Sequence, residues 1–170
     1  MFSCPAAADC GSTTYAGKAY RVLQWHFHTP SENTVNGVHY AGEMHVVHQA
    51  DDGALLVVAK LFEGKTAPAP PTPASAELSS AWASLAATAG ATDGAVDLGA
   101  IVGSGGGFWQ WTGSLTTPPC TEGLVWLLAR EPATVAPALL NAFWAHIGGH
   151  PGNARPVQSL NGRAITKIVD

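Results

Sequence analysis

The sequence predicts a mainly β domain, built on a largely antiparallel sheet with a few surface helices. Its first 62 residues contain short runs of β-branched and aromatic residues separated by turn signals, which is the pattern of strands. These runs follow one another too closely to leave room for crossover helices, so neighbouring strands should be antiparallel. The chain has 170 residues, of which 46% are hydrophobic, and this suffices for one domain with a buried core.

The first half is predicted to consist of strands. The first strand ends at Thr29-Pro30, where proline interrupts the run of β formers. The next segment contains Asn36-Gly37, a strong hairpin signal. Two further strands follow, separated by a turn. The predicted segments cover residues 20–28, 33–40, 43–48 and 54–62.

The second half mixes helices and strands. A proline-rich surface connection, residues 66–75, precedes an alanine-rich stretch, residues 76–89, whose apolar residues recur at helical spacing. The glycine-rich segment 103–107 is interpreted as a turn, because it lacks the spacing of a phosphate-binding loop and precedes a strand. Strands are predicted over residues 108–111 and 124–129, and a second helix over residues 134–147.

The charge pattern argues against binding to nucleic acids. The chain has eight Lys and Arg residues and twelve Asp and Glu residues, which gives a net charge of −4, and the cations are scattered along the sequence. Nucleic-acid binding is therefore not expected, since neutralising phosphates requires clustered positive charge.

No membrane span is expected either. The longest apolar stretch, residues 54–62, is interrupted by Lys60 and falls far short of the ~20 residues that a spanning helix needs.

Three cysteines leave two alternatives open. Cys4, Cys10 and Cys120 form no CxxC pair, which argues against a thiolate zinc site or a thioredoxin-like centre. Either one disulfide links the N-terminal segment to Cys120 and leaves one thiol, or all three cysteines are reduced. The disulfide is favoured because Cys4 and Cys10 lie in a short segment of small residues that has little else to hold it.

Three of the seven histidines are placed to bind a metal ion. His26 and His28 are two residues apart on a predicted strand, so both side chains leave the same face. His45, on the strand that follows, can supply a third nitrogen. Three neutral imidazoles with an open fourth position are the ligand set of a catalytic zinc that activates water.

Polar residues accompany these histidines on the same face. Gln24 precedes His26 by two residues and Glu43 precedes His45 by two, so each points the way its histidine points. Both are placed to accept a hydrogen bond from the second ring nitrogen of a metal-bound histidine. The residues between them should face the core: Trp25, Phe27, Met44 and Val46. The remaining histidines are expected to be structural or surface residues: His39, His48, His146 and His150.

Several motifs together resemble one enzyme family, the alpha-class carbonic anhydrases. Residues 24–28 (QWHFH), 31–35 (SENTV) and 43–48 (EMHVVH) are similar to the zinc-site core of that family. Residues 113–123 (GSLTTPPCTEG) resemble its threonine loop, and Trp126 follows at the family's spacing. The C-terminal signature is similar over residues 153–158 (NARPVQ) and 160–163 (LNGR), so that the resemblance covers about residues 20–165.

The resemblance implies a twisted central sheet, surface helices and a zinc ion at the bottom of a cone-like cleft. His26, His28 and His45 are its implied Zn²⁺ ligands, and the implied reaction is reversible hydration of carbon dioxide to bicarbonate and a proton by zinc-bound hydroxide. Thr116 matches the threonine that accepts a hydrogen bond from that hydroxide and donates one to the carboxylate matched by Glu32. The implied partner is this small substrate, and a homodimer is left open.

Further site residues also follow from the resemblance. Thr117 borders the bicarbonate product, and the backbone carbonyl of Asn153 accepts a hydrogen bond from one zinc histidine. Cys120 stands where secreted members have a cysteine that pairs with an N-terminal one, which implies a disulfide of Cys120 with Cys4 or Cys10. Such a disulfide favours a secreted, periplasmic or organelle-lumen location. The apolar wall that holds carbon dioxide is matched by Val47, Val57, Leu115 and Trp126.

The N-terminal region departs from the family pattern. Family members carry some tens of residues more before the first zinc histidine, including a histidine that shuttles protons. Here 25 residues precede His26 and none of them is a histidine. The expectation is therefore a single carbonic-anhydrase-like domain over residues 1–170 that is shortened at its N-terminus, with no assigned proton shuttle.

Two other functions remain as alternatives. His26, His28 and Glu32 also match the first half of the cupin metal motif, which would imply iron or manganese oxygenase or isomerase chemistry in a small β-barrel. The residues after His45 do not match its second half. The other alternative is an inactive or impaired family member that serves as a binding or structural protein. Such members typically lack zinc histidines, whereas all three are present here.

Overall fold

The computed structural model of the protein describes residues 1–5, 8–65, 72–87, 96–103 and 105–169, with the backbone alone over residues 82–87. None of the helices in these ranges is long and apolar enough to span a membrane. The strands are β1 (Phe2–Ser3), β2 (Ser12–Tyr15), β3 (Lys18–His28), β4 (Thr34–Val35), β5 (Val38–His39), β6 (Gly42–Gln49), β7 (Leu55–Gly64), β8 (Phe108–Ser114), β9 (Glu122–Ala129), β10 (Ala133–Val135) and β11 (Thr166–Ile168). The helices are α1 (Pro73–Ala87), α2 (Leu98–Val102) and α3 (Pro137–His146).

Nine of these strands form one open sheet. Its order is β1-β3-β6-β7-β9-β8-β11, with β2 also paired to β3 and β10 to β7. Most pairings are antiparallel, which confirms the predicted largely antiparallel sheet, but β7 pairs in parallel with both β9 and β10. The sheet is therefore mixed. A parallel pair needs a long connection, and the chain between β7 and β9 provides one by running through α1, α2 and β8.

The hairpin predicted at Asn36-Gly37 is confirmed. Strands β4 and β5 pair antiparallel on either side of these two residues. Their φ angles are 53° and 77°, the left-handed conformation that a two-residue type I′ turn requires at both positions. The strands predicted over residues 20–28, 43–48 and 54–62 are confirmed as β3, β6 and β7, each slightly longer than predicted.

The second half departs from prediction at its two longer helices. The helix predicted over residues 134–147 is wrong at its start, because Thr134 and Val135 belong to β10 and pair with β7. Helix α3 begins only at Pro137, in the first helical turn, where the missing backbone N–H of proline costs nothing. Helix α1 begins at Pro73, inside the predicted proline-rich connection. The rest of that connection lies outside the described residues, except Thr72, as do residues 88–89 of the predicted helix and residue 104 of the glycine-rich segment.

The two faces of the sheet carry two separate apolar clusters. One contains the predicted core residues of β3 and β6 and is covered by α1, α2 and α3 through Leu78, Ile101, Leu140 and Phe143. The other contains Val47, Val57, Ala59, Leu61, Leu124, Trp126 and Leu128, with Leu115 packed against it. Along β6 and β7, alternate residues serve one cluster and then the other. The candidate site lies on the face of the second cluster.

The predicted disulfide of Cys120 with Cys4 or Cys10 is wrong. Cys4 and Cys10 are bonded to each other, with 6.0 Å between their Cα atoms, and Cys120 is free. Both N-terminal cysteines lie beside the same stretch of β3. The Cys4 N–H donates to the Leu23 carbonyl, and the carbonyl of Gly11 accepts from the Val22 N–H. Cys120 lies in the turn between β8 and β9, and β9 is four strand steps from β1, or ~19 Å.

The N-terminal strand β1 was not predicted, yet it contributes to the core. Phe2 is only 3% exposed, and its ring stacks on the Trp25 ring with centroids 5.3 Å apart. The backbone of β1 pairs with β3 at Trp25 and Gln24. This short edge strand therefore covers the part of β3 that leads directly into the histidine pair.

We expect Phe2→Ala to destabilise the fold by about 3 kcal/mol, because it removes a buried aromatic ring and leaves a cavity beside Trp25. Urea unfolding followed by tryptophan fluorescence would measure the change. Phe2→Leu, which keeps most of the buried volume, should cost about 1 kcal/mol. If Phe2→Ala unfolds at the same urea concentration as the wild type, β1 does not contribute to the folded core.

Candidate metal centre

The three histidines singled out in the sequence converge on one point. His26 and His45 are direct cross-strand partners on β3 and β6, and His28 follows two residues after His26 on the same face. The ring centroids are 4.9 Å apart for His26 and His28, 5.2 Å for His26 and His45, and 4.7 Å for His28 and His45. One nitrogen from each ring lies within 4.8 Å of the others. Such a group can hold a metal ion.

One nitrogen of each ring is in contact with a protein oxygen. His26 Nδ1 lies 2.7 Å from Gln24 Oε1, and His28 Nδ1 lies 3.1 Å from the backbone oxygen of Asn153. His45 Nε2 lies 3.1 Å from Glu43 Oε1, although without the angle of a full hydrogen bond. These contacts leave Nε2 of His26, Nε2 of His28 and Nδ1 of His45 available to bind one metal ion. Within the part of the chain that the structure describes, His28 Nε2 is buried with no hydrogen-bond partner, as expected of a nitrogen that can donate its lone pair to a metal ion.

The environment keeps two of the imidazoles neutral. Burial lowers the pKa of His26 to about 2, and the neighbouring His45 and His28 rings add to the effect. Burial likewise lowers the pKa of His28, with a further contribution from His45 that the carboxylate of Glu32 partly opposes. An imidazole must be unprotonated to donate its lone pair to a metal. Both rings are therefore in the ligating state at neutral pH.

Glu43 is a fully buried carboxylate beside His45. Both of its oxygens accept hydrogen bonds from Asn33: the backbone N–H at 2.8 Å and Nδ2 at 2.6 Å. Burial by itself raises the pKa of this carboxyl, but the His45 ring and the two Asn33 hydrogen bonds outweigh burial, so the pKa of Glu43 is lowered. The side chain is thus an anion that can accept from His45 Nε2.

Glu32 is a second buried carboxylate at the centre. Its Oε1 accepts a hydrogen bond from the Arg155 backbone N–H at 2.8 Å and lies 3.4 Å from His28 Nδ1. Its Oε2 lies 3.9 Å from His45 Nδ1 and is buried without a hydrogen-bond partner among the described residues. One oxygen of Glu32 is therefore fixed by the C-terminal segment, and the other can accept a further hydrogen bond.

The C-terminal segment is attached to the end of β3 by Asn153. Its side chain accepts from the Thr29 N–H at 2.9 Å and donates to the Phe27 carbonyl at 2.9 Å. This brings its own backbone oxygen to His28. The preceding Gly152, at φ 87°, lies so close to β3 that a Cβ atom there would be 1.9 Å from the Thr29 carbonyl oxygen. Only glycine fits this approach.

A cavity of about 360 Å³ opens beside the centre. Glu32, Thr116 and Trp126 all line it, and the Trp126 ring packs edge-on against His45 with centroids 4.8 Å apart.

No hydrogen bond joins Thr116 to Glu32 among the described residues. Thr117 is exposed, and its carbonyl accepts from the Cys120 N–H. The predicted apolar wall residues share one cluster on this side of the sheet: Val47, Val57, Leu115 and Trp126.

Some contacts at the site were missed by the sequence analysis. These contacts join segments that are distant in the sequence, so they leave no periodic signal in it. They are the two hydrogen bonds from Asn33 to Glu43, the bond from the Arg155 N–H to Glu32 and the two side-chain bonds of Asn153.

The other histidines lie apart from the centre. His48 is buried on the opposite face with Nδ1 3.0 Å from the Val46 carbonyl. The remaining three are exposed: His39, His146 and His150.

Comparison with known proteins places the chain in a family. The model of the eukaryotic-type carbonic anhydrases matches residues 7–169. A carbonic anhydrase of Klebsiella pneumoniae is 42% identical over 155 residues, which are 89% of this chain and 59% of that protein. One of Pectobacterium atrosepticum is 35% identical over 152 residues, 87% of this chain and 58% of that protein. This chain thus spans somewhat more than half the length of these relatives.

Solved structures give the same result. An alpha-carbonic anhydrase of Thermovibrio ammonificans, in complex with the inhibitor sulfanilamide, has a TM-score of 0.76 and 32% identity, covering 88% of this chain and 64% of that one. This match argues against the cupin alternative, and so does the sheet of the described residues, because cupins are jelly rolls of two packed sheets whereas here nine strands form one sheet. The three-histidine group, the fold around it and the sequence matches have one common explanation. The chain belongs to the eukaryotic-type, or alpha, carbonic anhydrase family.

Proposed function

We propose that this chain binds one zinc ion and catalyses the reversible hydration of carbon dioxide to bicarbonate and a proton. The observation that carries the proposal is the convergence of His26, His28 and His45 within 4.8 Å, each with its other ring nitrogen engaged by an oxygen. A cavity with an apolar wall lies beside this group. Membership of the carbonic anhydrase family supports the same reaction.

The donor set suits zinc. Three neutral imidazole nitrogens and an open fourth position form the usual site of a catalytic zinc ion, which when bound lowers the pKa of a water ligand to about 7 and so supplies a nucleophile at neutral pH. The protein oxygens on the outer nitrogens of the rings fix each ring's orientation and tautomer. These oxygens belong to Gln24, Asn153 and Glu43.

Thr116 and Glu32 are proposed to orient the attacking oxygen. Glu32 Oε2 is buried and unpartnered, so a hydroxyl that donates to it would satisfy it. Thr116 lines the same cavity, and donation of its proton to Glu32 would leave its own lone pairs to accept a hydrogen bond from the nucleophile. This fixes the direction of a nucleophilic lone pair, which is a positioning effect.

The cavity wall is proposed to select the substrate. Carbon dioxide carries no charge and accepts hydrogen bonds weakly, so an apolar surface can hold it without a polar anchor. Thr117 lies next to Thr116 on the same loop and is exposed, so it can contact the charged bicarbonate product as that leaves. Of the four residues matched to this wall, Trp126 lines the cavity, and Val47, Val57 and Leu115 pack with it in the second cluster.

The proposed function is tested by measuring zinc content and carbon dioxide hydration on one purified sample. We expect about one zinc per chain and stopped-flow hydration that sulfanilamide inhibits. Zinc without hydration would favour the inactive or impaired family member. A chain that purifies without zinc and takes none up on dialysis would contradict the metal site itself.

We expect His45→Ala to abolish zinc retention, because it removes one of the three nitrogens and leaves the Glu43 carboxylate buried without its ring partner. Metal analysis after gel filtration would give close to no zinc in the variant. His146→Ala is a matched control, since His146 is exposed on α3, and it should retain zinc as the wild type does. Wild-type zinc content in His45→Ala would contradict the ligand assignment.

We expect Thr116→Ala to keep its zinc and to lose about 100-fold in the rate of hydration, since one positioned hydrogen-bonding group at the reacting oxygen has been removed. Stopped-flow kinetics with zinc analysis of the same sample separates the two effects. Thr121→Ala, an exposed threonine on the same loop, should behave as the wild type. Near-wild-type rates in Thr116→Ala would show that its hydroxyl does not orient the nucleophile.

A further inference from the structure

The carboxylate of Glu43 is held from the side opposite His45 by one residue. Asn33 donates its backbone N–H to Oε2 at 2.8 Å and its side-chain Nδ2 to Oε1 at 2.6 Å. Oε1 is also the atom that lies 3.1 Å from His45 Nε2. The same oxygen therefore connects the Asn33 amide to the outer nitrogen of a metal-binding ring.

Asn33 itself is fixed by the base of the β4–β5 hairpin. Its backbone carbonyl accepts from the Ser31 hydroxyl at 2.6 Å, and that hydroxyl accepts from the Tyr40 N–H at 2.9 Å. The Ser31 N–H in turn donates to the Tyr40 carbonyl. Ser31 is completely buried, so these bonds are shielded from water. The Asn33 amide thus has a rigid support.

We infer that Asn33 is a positioning residue of the metal centre, acting through Glu43 on His45; this inference rests on the proposed function. Two bonds from Asn33 fix both the position and the rotation of the Glu43 carboxylate. That carboxylate holds His45 with its Nε2 outward and its Nδ1 toward the other two histidines. Without the amide, a buried carboxylate loses a donor and can turn away from the ring, and His45 loses its fixed orientation.

The test compares zinc release from two variants of the full chain. Asn33→Asp keeps the shape and the backbone N–H but replaces the Nδ2 donor with an acceptor that repels Glu43. Asn33→Ala removes the donor without adding charge. Release of zinc to a chelator should be about 10–100-fold faster in both, and faster in Asn33→Asp than in Asn33→Ala. The visible spectrum of the cobalt(II)-substituted variants should also shift, because it reports the ligand geometry directly.

Asn141→Asp is the control variant, since it makes the same chemical change at an exposed position of α3; its zinc release should equal that of the wild type. Zinc release within twofold of wild type in the Asn33 variants, with an unchanged cobalt spectrum, would overturn the inference. If Asn33→Asp does not fold, Asn33→Ala alone decides by the same criteria. A wild-type chain that binds no zinc would overturn the proposed function and this inference together, whereas a wild-type chain that binds zinc, with Asn33 variants that release it at the wild-type rate, would overturn the inference alone.

Discussion

The register of β3 determines which side chains reach the candidate metal centre. Side chains alternate strictly between the two faces of a strand, yet Val22 and Trp25 both lie in the core cluster under the helices. An irregularity between Val22 and Gln24 allows this, because the extra residue shifts the alternation by one. Gln24, His26 and His28 then share the other face. Without that shift, packing Val22 into the core would place His26 there as well.

The polar residues on that face are tolerated in a buried setting because almost every one has a specific partner. Gln24 contacts His26, Asn33 binds Glu43, and the Arg155 backbone binds Glu32. A buried polar atom without a partner costs roughly 1–3 kcal/mol. Among the described residues, three buried atoms at the centre lack a hydrogen-bond partner: His28 Nε2, Glu32 Oε2 and His45 Nε2, of which the last lies 3.1 Å from Glu43 Oε1. The first two atoms therefore mark the places where a bound metal and a donating hydroxyl would act.

Local patterns predicted the parts of the site that lie along single strands. Alternation was sufficient to place His26, His28 and Gln24 together, because residues two apart on a strand share a face. Contacts between distant segments carry no such period. Asn153 was assigned only by family resemblance, and the bonds from Asn33 to Glu43 were not predicted at all. The predicted disulfide of Cys120 was wrong for a related reason. The resemblance supplied only the position of that cysteine in the sequence. Its distance from β1 depends on the order of strands in the sheet, which the sequence pattern does not contain.

The wall of the cavity is connected to the candidate metal ligands through Trp126. Its ring stacks on Trp111 with centroids 5.5 Å apart and packs edge-on against His45. It can lie there because of Gly113, where a Cβ atom would come within 2.9 Å of the indole. On the neighbouring strand the residue opposite His45 is Ala59, which is small and fully buried. Gly113 and Ala59 thus leave room for a large ring that bounds the cavity and packs against His45, a candidate metal ligand. A change in the wall at this point would consequently also move the candidate metal centre.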